Sequence, residues 1–195
     1  MSVGDYSVIF QLLTSFLIGI VIKLLDDYMD EELPQKLLSL EFKNAILPYS
    51  LILFSVAAAL DTIYAVTLFS AAYILGMFFH MQQKLPTGFT ALQESLIVLM
   101  VNLLIFSFRS ILTSLLVIFF IQCIDDLMDR QWDKRMGHHN LANKFGVGEV
   151  AIFSVILSII MIMLDMRKFV IVSFCFLFIS SVYKKYLPSC RKFKN

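Results

Sequence analysis

Charged residues are scarce in this sequence. Of its 195 residues, only 16% are Asp, Glu, Lys or Arg, whereas 59% are hydrophobic. A soluble domain has about 25% charged residues, so this chain has too few of them to cover a water-exposed surface. The formal net charge is +1 and no basic tract is present, which argues against a nucleic-acid-binding protein.

Cysteine is also sparse. Cys123, Cys175 and Cys190 form no pair at metal-ligand spacing, and their odd number argues against a disulfide framework. The N-terminus lacks the basic region and the small-residue cleavage site of a signal peptide, so we expect its first apolar stretch to remain as a membrane helix. No low-complexity segment or flexible linker interrupts the chain, and we therefore expect a single domain over residues 1–195.

Long apolar stretches are abundant. A helix needs about 20 apolar residues to cross the hydrocarbon core of a bilayer. The stretches 44–81 and 91–124 are too long for one span each, so we place helix breaks at Asp61-Thr62 and at Ser107-Phe108-Arg109-Ser110. The sequence thus predicts an all-α, polytopic membrane bundle of about seven transmembrane helices, at residues 7–25, 44–60, 62–81, 91–107, 109–124, 148–165 and 168–186.

Basic residues are distributed unequally between the two sides of this predicted bundle. With the N-terminus outside, only Arg109, Arg167 and Lys168 of the 16 Lys and Arg residues fall on the outer side. The others fall on or near the inner side, as the positive-inside rule expects for the cytoplasmic face. We therefore expect an integral, multi-pass membrane protein with an outer N-terminus.

An acidic motif occurs twice in the chain. Residues 26–30 read DDYMD and close the first predicted span, and residues 125–129 read DDLMD and close the fifth. Both follow odd-numbered spans, so both are predicted on the cytoplasmic side, where they can face one another. In the second copy Asp126, Asp129 and Asp133 are spaced i, i+3 and i+7, which places three carboxylates on one face of a helix.

These acidic clusters predict a cation site. Clustered carboxylates repel one another and are costly near a bilayer, so they need a compensating cation. Oxygen ligands without a nearby His or Cys set suit Mg²⁺, which is commonly held by a few carboxylates together with substrate phosphates. The alternative is that each acidic run is only a solvated helix end. His138 and His139 have no third partner nearby in sequence, and we interpret them as ordinary loop residues.

The second acidic segment resembles the second motif of the UbiA-type superfamily of intramembrane prenyltransferases. That motif has Asp-x-x-x-Asp, a glycine four residues later, a Thr-Leu-Ala-like step and a closing Leu-Gly; here Asp133 is followed by Gly137, Asn140-Leu141-Ala142 and Phe145-Gly146. The first segment is similar to the family's Asn-Asp-x-x-Asp-x-x-x-Asp motif, with Asp26 in the Asn position and Pro34 in place of the last Asp. Four spans separate the two motifs, as in the family.

The resemblance implies a UbiA-like bundle that lacks two of the family's helices, the first and the last. It implies a Mg²⁺-dependent enzyme of isoprenoid biosynthesis that ionises a prenyl diphosphate and transfers the prenyl group to a lipophilic acceptor within the membrane. The residues predicted to bind Mg²⁺ are Asp26, Asp27, Asp30, Asp126, Asp129 and Asp133, with Asp125 as a helper, and the central catalytic carboxylates are Asp27, Asp30, Asp126 and Asp129. Those predicted to contact the diphosphate are Lys23, Arg130 and Lys134.

Two other functions remain open from the sequence. A membrane terpene cyclase or synthase would act on the prenyl diphosphate alone, and the missing last Asp of the first motif is compatible with it. A cation transporter or a non-catalytic partner subunit is the third possibility. A transporter is expected to carry acids at mid-membrane, whereas Asp61 and Glu94 lie near the ends of predicted spans.

Overall fold

The computed structural model describes residues 3–29, 40–78, 81–137 and 139–186. Within these ranges the chain is helical and contains no strand, only one isolated bridge between Lys84 and Thr90. This confirms the predicted all-α class. The helices are α1 (Val3–Met29), α2 (Leu40–Leu60), α3 (Thr62–Phe78), α4 (Ala91–Ile105), α5 (Phe108–Met136), α6 (Leu141–Phe145) and α7 (Val147–Tyr186).

The predicted break between α2 and α3 is confirmed at Asp61. Its backbone N–H still donates to the Ala57 carbonyl at 3.0 Å, which completes α2. Its side-chain Oδ1 accepts the Tyr64 N–H at 3.0 Å, which satisfies one of the backbone donors that a helix start leaves without an internal partner. One aspartate therefore ends one helix and begins the next.

The predicted break between α4 and α5 is also confirmed. α4 ends at Ile105, and Ser107 is the N-cap of α5, with its hydroxyl accepting the Ser110 N–H at 3.3 Å. One boundary differs from the prediction, which placed the end of α3 at residue 81. Met81 lies in a turn, and its backbone carbonyl accepts the Leu92 N–H. The last residue of the predicted third span therefore belongs to the loop before α4.

α7 contains one residue with non-helical backbone angles, Asp165. Its Oδ1 accepts the Lys168 N–H at 3.0 Å, so it caps a new helical segment. A straight helix would separate residues 153 and 169 by about 24 Å, yet Phe153 packs on Phe119 and Phe169 on the adjacent Phe120, with ring centroids 5.4 and 5.0 Å apart. The chain therefore turns back at Asp165, in agreement with the two predicted spans 148–165 and 168–186.

Among the residues that the structure describes, three helical segments are long and apolar enough to cross a membrane: Ser7–Asp26, Phe108–Arg135 and Val147–Val182, the last of which contains the turn at Asp165. Three shorter apolar helices accompany them, at Ala45–Leu60, Thr62–Met77 and Ala91–Ile105. Large apolar side chains on these helices are exposed, with Leu104 83% and Met163 82% accessible. Apolar surface of this extent needs a nonaqueous neighbour, and a lipid bilayer supplies one. These are the features of a helical membrane protein.

Contacts within the chain define two compact units. One comprises Met1–Val66 and Ile171–Asn195, and the other Thr67–Val170. In the first unit α1 packs on α2, where the Thr14 hydroxyl lies 3.5 Å from the Ala57 carbonyl, and a side chain at Gly19 would collide with Ile179. The second unit contains α4, α5, α6 and the first part of α7. The expectation of a single domain over residues 1–195 stays a prediction.

Candidate functional site

The second acidic motif occupies the last turns of α5. This helix is predominantly apolar from Ile111 to Ile124 and then becomes strongly polar, but it continues without interruption to Met136. The predicted i, i+3, i+7 spacing of Asp126, Asp129 and Asp133 therefore lies on continuous helix, which puts them along one face. All three are half-buried, so they are neither sealed in the core nor fully surrounded by solvent.

Beyond this motif the chain reverses and returns to the same helix. Gly137 ends α5 with a φ of 75°, a left-handed conformation that glycine adopts without steric cost. Asn140 then caps α6, its Oδ1 accepting the Asn143 N–H at 3.0 Å. The reversal brings Asn140 back beside Asp133 and Asp126 of α5, which precede it in the sequence by seven and 14 residues.

Asn140 connects two members of the acidic motif. Its Nδ2 donates to the carboxylate Oδ2 of Asp133 at 2.6 Å and to the backbone carbonyl of Asp126 at 2.8 Å. The neighbouring Leu141 N–H donates to the Asp126 carboxylate, also at Oδ2, at 2.7 Å. The donors are neutral amides, so they orient both carboxylates without removing their negative charge.

Hydrogen bonds and apolar contacts both attach α6 to α5. Asn143 Nδ2 donates to the Arg130 carbonyl at 3.0 Å, which adds a second polar attachment to α5. Leu141 and Ala142 belong to a buried apolar cluster. Phe119, Phe120 and other partly buried side chains pack against this cluster. The members of this cluster are Cys123, Leu141, Ala142, Val150 and Leu157. Burial of apolar surface and hydrogen bonding thus act together to hold α6 against the acidic part of α5.

The electrostatic environment of the motif is crowded with like charge. Asp126 is repelled by Asp133, Asp125 and Asp129, and burial of its carboxyl group makes its charge costly. Arg130 and Lys134, which we predicted to contact a diphosphate, are both exposed. The site therefore combines oriented acids with accessible cations, a donor and acceptor set that suits a metal-bound phosphate ester.

The first acidic motif is described only in part. Lys23 Nζ lies 3.5 Å from Asp26 Oδ2, so this lysine is next to the motif. Asp27 belongs to α1, but its side chain is outside the described residues, as is all of Asp30. The structure therefore places two of the four predicted residues of this motif and brings those two together.

Whether the described carboxylates can hold Mg²⁺ depends on how many protein ligands this ion needs. Among the residues described, no group of three or more His, Cys, Asp or Glu is close enough to hold a metal ion. This excludes an all-protein cage within that part of the chain. Mg²⁺, in contrast, usually keeps several waters and binds through one or two carboxylates plus substrate phosphates. An ionised carboxylate has about four acceptor positions, so the bonds to Asn140 and Leu141 are compatible with metal coordination.

The sequence reasoning missed several polar contacts. Asn140 was recognised only as part of a motif, and nothing in the sequence assigned its amide to Asp133. Glu94, noted as an acid near a span end, accepts hydrogen bonds from Tyr73 and Thr87. Lys168, which the sequence assigned to the outer side, is buried and donates to oxygens on α5. His139 is exposed, as expected of a loop residue, and His138 lies outside the described residues.

Comparison with known proteins adds no relative. No protein-family model matches the chain, and neither a curated protein nor a solved structure matches it. The likeness to UbiA-type enzymes therefore stays a prediction that depends on the motif residues themselves.

Proposed function

We propose that this protein is a Mg²⁺-dependent intramembrane prenyltransferase that takes a prenyl diphosphate as donor and a lipophilic acceptor from the membrane. The observation that supports this proposal most is the arrangement at the end of α5. There, Asp126 and Asp133 are oriented by neutral amides at the point where an apolar helix becomes polar. A charged headgroup and an isoprenoid tail need such a boundary between charge and hydrocarbon.

At the second motif, one or two of the carboxylates of Asp126, Asp129 and Asp133 would hold Mg²⁺ together with substrate phosphate oxygens. At the first motif, the corresponding carboxylates are those of Asp26, Asp27 and Asp30. When bound, Mg²⁺ stabilises the negative charge that develops on a departing diphosphate. Arg130 and Lys134 are exposed on the same turns of α5 and donate to diphosphate oxygens. Lys23 has the same role beside Asp26.

The apolar helices supply the second requirement of this chemistry. Departure of diphosphate from an allylic carbon leaves a carbocation that water would quench, so the reacting carbon must be kept dry. Aromatic rings pack along the apolar part of α5, with Phe119 against Phe153 and Phe120 against Phe169. Side chains of this kind exclude water and provide apolar surface for an isoprenoid chain.

For orientation, we propose an outer N-terminus and a cytoplasmic location for both acidic motifs. Of the three basic residues assigned to the outer side, Lys168 is buried, which leaves still fewer basic groups at that surface and supports this orientation. Cysteine substitution at positions 28 and 128 tests it: impermeant thiol reagents should label both from the cytoplasmic side, and labelling from opposite sides would refute it.

The activity test combines purified protein, Mg²⁺, labelled prenyl diphosphates of several lengths and a lipid extract. The proposed function predicts a prenylated lipid-soluble product and release of diphosphate, both abolished by a chelator. A hydrocarbon or terpene alcohol formed from the prenyl diphosphate alone would instead identify a terpene cyclase or synthase. Pro34, in the position of the last Asp of the first motif, is the feature that favours this second candidate. No turnover of any prenyl diphosphate would indicate a non-catalytic protein.

A further inference from the structure

We infer that Asn140 is a positioning residue for the second acidic motif: its amide sets the orientation of the Asp133 carboxylate, and its bond to the Asp126 backbone carbonyl holds the adjacent Leu141 N–H against the Asp126 carboxylate. This inference rests on the proposed function, because it concerns the readiness of these carboxylates to bind a divalent cation. It starts from one contact, in which a single nitrogen lies 2.6 Å from Asp133 Oδ2 and 2.8 Å from the Asp126 carbonyl.

Helical spacing alone does not orient the carboxylates. An aspartate side chain on a helix has more than one allowed rotamer, and the neighbouring acids repel one another. A hydrogen-bond donor at a fixed place favours one of these rotamers over the others. Mg²⁺ requires near-ideal octahedral geometry, so carboxylates already held in place bind it more tightly than mobile ones.

An asparagine side chain can cap α6 with its oxygen and donate to α5 with its nitrogen at the same time. Its Oδ1 accepts the Asn143 N–H and thereby caps α6, while its Nδ2 has two hydrogens to donate toward α5. Asn140 is only 5% exposed, so water competes little for these bonds. A residue that only capped the helix would keep the fold of the reversal but would leave the Asp133 carboxylate without this donor.

The test compares capping with positioning in the full-length protein in detergent or nanodiscs. Asn140→Ser keeps a good N-cap residue, but its shorter side chain lacks the amide that reaches Asp133. Asn143→Ala is the matched control, because the Asn143 side chain holds the same reversal to the Arg130 carbonyl and donates to no carboxylate in the bond described. Binding of Mn²⁺, used in place of Mg²⁺, is measured by electron paramagnetic resonance with and without inorganic diphosphate, alongside the melting temperature.

We expect Asn140→Ser to weaken Mn²⁺ binding about 10- to 100-fold, the usual effect of removing a group that orients a metal ligand. Its melting temperature should stay close to that of the Asn143→Ala control, and that control should bind Mn²⁺ like the wild type. Asn140→Gly, which also permits capping, replaces the serine variant if the latter does not fold.

Four outcomes separate this inference from the proposed function. Equal Mn²⁺ affinity in wild type and Asn140→Ser overturns the positioning role. Equal losses in the Asn140 and Asn143 variants overturn it too, since attachment of the reversal would then be the cause. If the wild type binds no Mn²⁺ under either condition, both the inference and the metal assignment fall. The expected loss of Mn²⁺ binding in a protein that forms no prenyl product keeps the positioning role and refutes the proposed function.

Discussion

At the start of α5, the ammonium group of Lys168 is buried and donates to the Ser110 carbonyl and to the hydroxyls of Thr113 and Ser114, at 3.0, 3.1 and 2.7 Å. At the end of the same helix, the carboxylates of Asp126 and Asp133 are half-buried and accept from neutral amides. Charged groups at both ends of α5 are therefore hydrogen-bonded to neutral groups. The Lys168 ammonium group is buried, whereas the two carboxylates remain partly exposed.

Under the proposed function, this difference means that one helix uses charge for two purposes. An ammonium has three donors, and three oxygens surround that of Lys168, so it links α7 to α5 and has no donor left for a ligand. A carboxylate that accepts one or two hydrogen bonds still has acceptor positions for a cation. We therefore assign an architectural role to the start of α5 and a chemical role to its end. Substitutions should separate the two.

The largest effect is expected at the acidic end. Asp129→Ala should lower the turnover of prenyl diphosphate about 1,000-fold or more, since a lost metal ligand removes several kcal/mol of transition-state stabilisation. Membrane insertion and melting temperature should not change. Asp30→Ala should behave in the same way at the first motif. Product formation per folded protein is the measurement, and Glu149→Ala, which removes an exposed acid outside the motifs, is the control. Full activity of either aspartate variant would contradict the metal assignment.

The opposite pattern is expected for Lys168→Met. The oxygens of Ser110, Thr113 and Ser114 lose a buried donor, which should reduce stability by about 1–3 kcal/mol, while turnover per folded molecule stays unchanged. Thermal melting in detergent measures the first quantity and product formation the second. The adjacent Arg167 is exposed, so Arg167→Met should change stability by no more than about 0.5 kcal/mol. A variant that melts normally but loses activity would show that the start of α5 has a chemical role after all.

A smaller effect is expected for Arg130→Ala. The side chain is exposed, and the backbone carbonyl that accepts from Asn143 remains in place, so the fold should be kept. Loss of one charge-assisted hydrogen bond to diphosphate should raise KM about tenfold, equivalent to roughly 1.4 kcal/mol. Steady-state rates against prenyl diphosphate concentration give this value. Arg167→Ala removes an exposed cation outside the acidic motifs, and an equal rise in KM there would indicate a general charge effect.

The smallest effect is expected for Ser107→Ala at the start of α5. The Ser107 hydroxyl accepts the Ser110 N–H, and loss of an N-cap of this kind costs about 1 kcal/mol. Melting temperature should fall slightly and activity should be unchanged. Ser107→Thr retains a capping hydroxyl and should melt close to the wild type. If the alanine variant were the more active of the two, the architectural assignment of this end would need revision.

Helix positions were largely predictable, because apolar stretches longer than one membrane crossing must be interrupted at a polar residue. Asp61 and Ser107 are the polar residues at these interruptions, and the side-chain oxygen of each caps the start of the following helix. Asp165 closes the sixth predicted span and proves to be the turning point of α7. The end of α3 was placed too late, because the backbone pairing of Met81 with Leu92 has no signal in hydrophobicity.

Of the candidate site, the sequence predicted which acids share a helix face but not what holds them. Spacing along one helix is a local property, so Asp126, Asp129 and Asp133 could be grouped from their numbers alone. The contact from Asn140 to Asp133 depends on the chain reversing after Gly137 and on the apolar packing below α6. The sequence shows that both residues are present, but it does not show that the chain folds back and brings them into contact.

By itself, the sequence determined the helical class, the breaks between apolar stretches and the repeated acidic motif, since each follows from periodicity or composition along the chain. Only the tertiary structure decided that Lys168 is enclosed at one end of α5 while Asp126 and Asp133 remain half-buried at the other. The physical reason is that burial and hydrogen bonding are set by which segments pack together. A charged side chain is enclosed in one packing environment and remains partly accessible in another.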